Sequence, residues 1–244
     1  DSSGGGLTVG GNGATSFTNS GTIEVVNGIL TLNGATTLVG LGQITRLGGA
    51  INLGGSLDLQ GGQWTLDAAS GSWNLAGGAV RNGTVVERDG ALLVLSNQGG
   101  TLDRIKLRGD LDGSRIANAN VTIYGGLDLD GTLLIGDATG NTYGRVYFAD
   151  GSSVAGGLTG PGTVVFGGSV YNFISNQSNR TGVDGTLTLG PNITVRGKNG
   201  TIYNAYPNGA LVNQGRIVVD SSGGGLTVGG NGATSFTNSG TIEV

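Results

Sequence analysis

The chain has 244 residues, of which 53 are glycine and only 3 proline, with 36% hydrophobic and 11% charged residues. Glycine at this level, without a three-residue period or matching proline, excludes a collagen helix; the regular Leu, Ile and Val exclude a disordered linker, and abundant Gly, Thr, Ser, Asn and Val disfavour long helices. Cys, His and Met are absent and the formal charge is −4, which removes thiol and imidazole catalysis, zinc and most transition-metal sites, a disulfide framework and a basic surface able to track nucleic acid.

The first twenty-five residues, DSSGGGLTVGGNGATSFTNSGTIEV, return unchanged as residues 220–244. The copy starts and stops in mid-pattern, which predicts a window from a tandem array: residues 1–219 form one repeat and 220–244 begin the next. No run of about 18 apolar residues is present to span a bilayer, so no membrane insertion is expected in this window.

Further along, Gly-x-[apolar]-x-[apolar] recurs at Gly49–Leu53, Gly55–Leu59, Gly62–Leu66, Gly71–Leu75, Gly131–Ile135 and Gly185–Leu189. Each is a short strand with one buried face. Asn27-Gly28, Asn33-Gly34, Asn82-Gly83 and Asn199-Gly200 are expected to supply positive φ at corners. A longer motif, [apolar]-x-x-x-Gly-x-[Ile/Val], begins at Phe17, Leu38, Ala79, Leu158, Leu211 and Phe236, at intervals of 21, 41, 79, 53 and 25 residues. Read as one fixed corner, these intervals are one, two, four, two and one multiples of a coil of roughly 20 to 26 residues.

That pattern predicts an all-β fold, a right-handed parallel β-solenoid (β-helix) of about ten coils per 219-residue repeat, the hand following the crossover rule for parallel strands. A hairpin barrel or sandwich is the competitor, but neither requires a constant coil length. Parity supports stacking: a shift of 18 places Ile105 on Ile123, Leu111 on Leu129, Asp110 on Asp128 and Asp112 on Asp130 with inward and outward sets in phase. The expected core holds aliphatic ladders with Phe17, Trp64, Trp73, Phe148, Phe166 and Phe173, and Thr, Asn and Ser ladders lie outside. Loops are expected at 137–144, 174–185 and 203–209.

Stacked in this way, Asp110, Asp112, Asp128 and Asp130 form a carboxylate ladder, a weak calcium candidate; otherwise no metal or cofactor is expected. Exposed carboxylates about 4.8 Å apart repel by only about 1 kcal/mol in water, so the ladder stands without a metal. Arg104, Lys106 and Arg108 beside these aspartates are a combination that polysaccharide lyases on β-helices use, set against a solvated face of offsetting charges, which is preferred. Trp64 and Trp73 alternate with buried Leu and read as core, whereas Tyr171, Tyr203 and Tyr206 sit in or near loops and are candidates for contact with glycan or a neighbouring fibre.

The phrases LVNQGRIVV, FTNSGTIEV with ILTLNG, GPGTVVFGGS and GTLTLGPNITVRGKNGTI resemble the large extracellular tandem-repeat β-solenoid proteins of bacteria, cyanobacteria included, similar in style to filamentous-haemagglutinin and autotransporter adhesin repeats. The resemblance implies an exported structural protein of a cell-surface fibre or biofilm matrix, without a catalytic set. It also implies neighbouring repeats of the same chain as partners, with lateral bundling or matrix polysaccharide beside them. An adhesin with binding loops on a solenoid stalk is the alternative, and a β-helix polysaccharide lyase or hydrolase a remote one.

Overall fold

The computed structural model describes residues 4–11, 16–149, 157–177, 185–207, 209–230 and 235–244. The chain winds as a parallel β-solenoid whose coils each visit three faces, and every strand pairing between coils is parallel. The first face is an eleven-stranded sheet from Gly6–Val9 to Thr241–Glu243. The second and third faces share a second sheet, because Ala79–Glu87, Thr101–Arg108 and Ala119–Asp130 bend around the corner between them without breaking. A short helical turn, Leu38–Leu41, takes the same corner one coil from the end, capped by the Thr37 hydroxyl accepting from Gly40 N at 3.0 Å.

Alternation decides what is buried. On the first face one inward row runs Leu7, Leu30, Ile51, Trp73, Leu93, Leu111, Leu133, Val164, Val195, Ile217 and Ile242, each paired with the next. Trp64 joins Trp73 edge-on in the core, ring centroids 5.0 Å apart. On the second face the apolar row Leu57, Val80, Leu102, Ile123 and Phe148 gives way to Asn176 and Asn204, both buried and bonded to each other at 2.8 Å. Asparagine was expected outside; here it lies inside, because its amide can both donate to a corner carbonyl and reach its stacked neighbour.

Several details of the sequence reading change. Of the four Asn-Gly pairs only Asn82-Gly83 supplies a positive φ, at Asn82; Asn27-Gly28 and Asn33-Gly34 have none, and Asn199-Gly200 lies within a strand. Gly200 is required by contact, since a Cβ there would stand 2.3 Å from the Phe166 ring. The shift-of-18 stacking fails on these strands: Ile105 pairs with Leu127, Lys106 with Asp128, Leu107 with Leu129, Arg108 with Asp130, and Leu111 with Leu133. The offset is already 21 before the corner, Leu102 lying on Ile123, and a register jump between Asp103 and Ile105, with Arg104 at positive φ, makes it 22 after it. Both sets of partners are in phase, so parity alone did not distinguish them.

The six long motifs mark two corners. Phe17, Leu38 and Ala79 precede strands of the third face, whereas Leu158, Leu211 and Phe236 precede strands of the first. The 79-residue interval from Ala79 to Leu158 therefore holds three coils and one further face instead of four coils. Coil length is not constant: partners are 18 residues apart at Leu93 and Leu111 and 31 apart at Leu133 and Val164, where loops lengthen the coil. From any described residue of 1–25 to its copy the chain makes nine and one-third coils, fewer than the expected ten.

The loop at 137–143 stands as expected, tied by Thr142 N donating to Asp137 at 2.8 Å. Ile174 is fully buried within Phe173–Asn176, and Tyr203 lies in Asn199–Asn204, so those two loops begin later. Residues 178–184 and 208, where the same two loops were expected, lie outside the described residues.

Candidate functional site

Outward-facing aromatic residues gather on the second face over three successive coils. In Gly144–Ala149 and the residue before it, alternation turns Tyr143, Arg145 and Tyr147 outward, because Gly144, Val146 and Phe148 take the core. On the next coil Ile174 takes the core and Phe173 faces out over Arg145, its ladder partner. One coil further, Tyr203 pairs with Ser175. Phe173, expected in the core, is thus a half-buried outer residue, because Ile174 holds the inward parity.

The rings touch. Tyr147 and Phe173 lie 5.4 Å apart at 77°, Phe173 and Tyr203 5.5 Å apart at 71°, and Tyr143 and Tyr171 5.7 Å apart at 58°. The Arg145 guanidinium stacks between Tyr143 and Phe173, 5.2 and 5.4 Å from their centroids. Arg145 Nε and Ser175 Oγ are buried in this strip without a hydrogen-bond partner. Of the three tyrosines picked out from sequence, Tyr171 and Tyr203 belong to the strip, Tyr171 being 66% exposed. Tyr206 lies in the turn beyond Asn199–Asn204 and is not among the rings in contact. Edge-to-face rings with a cation among them present apolar CH-accepting faces beside a hydrogen-bond donor, the chemistry that holds a sugar ring or another aromatic surface.

The four aspartates do not form a ladder. Asp128 accepts two bonds from Arg108, at 3.0 and 3.1 Å, and Asp130 lies 3.9 Å from the same guanidinium. Asp110 accepts from Thr132 N at 2.6 Å. Asp112 is buried and accepts from Ser114 N and Oγ and from Arg115 Nε. Burial, the largest influence on Asp112, pushes its carboxyl up, and the Ser114 and Arg115 donors together bring it below the usual range. The Arg108 bond holds Asp128 below that range as well. Among the described residues no group of three or more Asp and Glu gathers as a metal site would need. Arg104 bonds Asp103 and Asn82, at 3.1 and 2.9 Å, so these charges offset one another on the outer face.

One titratable group was not visible in the sequence. Glu87 ends the strand Ala79–Glu87 and turns back under the corner, where its two oxygens accept from Leu93 N and from Asp110 N of the next coil, both at 2.6 Å. Burial pushes its carboxyl up to about 7 against the pull of those two donors, and the neighbouring Asp110 and Asp112 charges add to the rise. Nothing in the local sequence separates Glu87 from an exposed glutamate; only the stacked coil supplies its second donor.

Comparison with protein-family models, with curated proteins and with solved structures finds no match to this chain. Among the described residues no helix is long and apolar enough to cross a membrane.

Proposed function

We propose that this chain is a structural unit of an extracellular fibre or surface matrix, in which tandem repeats stack into a continuous β-solenoid. One observation carries the reading: the twenty-five-residue segment occurs twice, and its described strands pair in parallel with the coil after them in one copy and with the coil before them in the other, so the same sequence fits both edges of the column. A strand that fits either edge lets parallel pairing run on from one repeat to the next. A chain without Cys or Met suits a long-lived material exposed to oxidants.

Sedimentation and electron microscopy across a concentration series test this. Filaments with an axial spacing near 4.8 Å are expected. A chain that stays strictly monomeric with full strand content at all concentrations overturns the reading.

The aromatic strip favours a second role for the same column, adhesion to polysaccharide or to a neighbouring fibre. Phe173→Ala with Tyr203→Ala is expected to lower retention on immobilised acidic and neutral glycans about tenfold while the circular dichroism of the column holds. Unchanged retention removes the strip from that role.

A further inference from the structure

The repeated segment has one sequence and two addresses. In its first copy Gly6–Val9 lies on the first face, Ser16 bridges Ala35 on the second, and Thr22–Val25 follows on the third. In its second copy Gly225–Gly230 lies on the second face, Ser235–Asn238 on the third and Thr241–Glu243 on the first. Every strand has moved on by one face.

The two copies also pair along opposite edges. Among the described residues the first pairs with the coil that follows it: Leu7 with Leu30, Val9 with Leu32, Ser16 with Ala35, Ile23 with Ile44. The second, among the described residues, pairs with the coil before it: Leu226 with Gly200, Val228 with Ile202, Ser235 with Ala210, Ile242 with Ile217. Laid on one another, the two sets merge without conflict. Rows such as Ile202, Val9/228, Leu32 and Ile217, Ile23/242, Ile44 keep inward residues inward throughout, which is the condition for stable parallel stacking.

We infer that repeats joined through this segment form one column in which the segment is a single shared coil and each repeat is turned by one third of a turn from the one before. Gly6 and Gly225 are separated by nine full coils of three faces and one face more, twenty-eight in all. With coils about 4.8 Å apart, each repeat rises about 45 Å and three repeats, about 135 Å, restore the original orientation. The surface that receives the next repeat is the open end formed by Gly225–Gly230, Ser235–Asn238 and Thr241–Glu243, and its occupant is another copy of this chain's residues from Ile29 onward. The aromatic strip, fixed on the second face of each repeat, then points in three directions along the fibre and spreads lateral contacts around it. This inference rests on the fibre reading above and adds its symmetry.

A chain of three 219-residue units followed by residues 220–244 tests it. Val170→Cys, at a side chain 70% exposed in a protein without cysteine, gives each unit one site for a gold label, and the column is imaged by electron cryomicroscopy. The expected result is three label rows, successive labels about 45 Å apart along the axis, with Ile29–Leu32 of each following unit on the sheet that continues Asn199–Asn204. A continuous column with Ile29–Leu32 continuing Arg216–Val219 instead, and labels in one gently twisting row, overturns the third-turn step and leaves the fibre reading standing. Separate beads overturn the continuous column itself.

Discussion

Glu87 shows how stacking changes a single residue. Its folded carboxyl titrates at about 7, above the 4.5 of an unfolded glutamate, so the folded chain holds the proton more tightly. The stability this contributes is fully present below pH 4.5 and is lost as pH rises to 7. After allowing for the solvent that still reaches the group, the loss is about 1 to 2 kcal/mol. Melting the chain between pH 4.5 and 8 is expected to show a midpoint falling with pH in this window. Glu87→Gln, which cannot ionise, is expected to flatten that slope. A slope unchanged in the variant assigns it to other groups.

At the scale of one strand, position along the column outweighs residue type. Leu7 and Leu111 belong to the same inward row and face the same way, yet Leu111 is fully buried between Leu93 and Leu133 while Leu7 has a neighbour on one side only. Leu111→Ala is expected to cost about 2 to 5 kcal/mol and Leu7→Ala less than about 1 kcal/mol, measured as shifts in denaturant midpoint at constant slope. Equal costs would mean that the end coil is as tightly packed as the middle. The strands themselves were legible because alternation about glycine is a local signal, and Trp64, Trp73, Phe148 and Phe166 went into the core as read. What stayed hidden was which strand lies on which. Ile105 has two in-phase candidates in the following coil, Ile123 and Leu127, but Ile123 is taken by Leu102 before the corner, and the one-residue jump at Arg104 then sets Ile105 on Leu127. The aromatic strip was half legible for the same reason: Tyr171 and Tyr203 were visible as residues, but their contacts with Tyr143 and Phe173 are made between coils 28 to 30 residues apart in sequence.

For the whole molecule, a column of coils that touch only their neighbours has a stability profile set by how many neighbours each coil has. In the single chain, amide exchange is expected to be fastest in Gly6–Val9, Thr22–Val25, Gly225–Gly230 and Ser235–Asn238, which pair on one edge, and slowest around Leu93–Leu95 and Leu111–Gly113. Joining three units changes only the interior copies of the repeated segment, which then pair on both edges. Covering two more aliphatic side chains such as Leu7 and Ile23 contributes about 3 kcal/mol, or about a hundredfold slower exchange at those amides. The terminal copies of the same sequence, in the same sample, keep their fast exchange and serve as the internal reference. If the interior copies exchange as fast as the terminal ones, the segment is a spacer between separate columns. If they slow to the rate of the middle coils, one twenty-five-residue sequence serves as both the end of one repeat and the start of the next, with its strands free to take whichever face the count of coils assigns them.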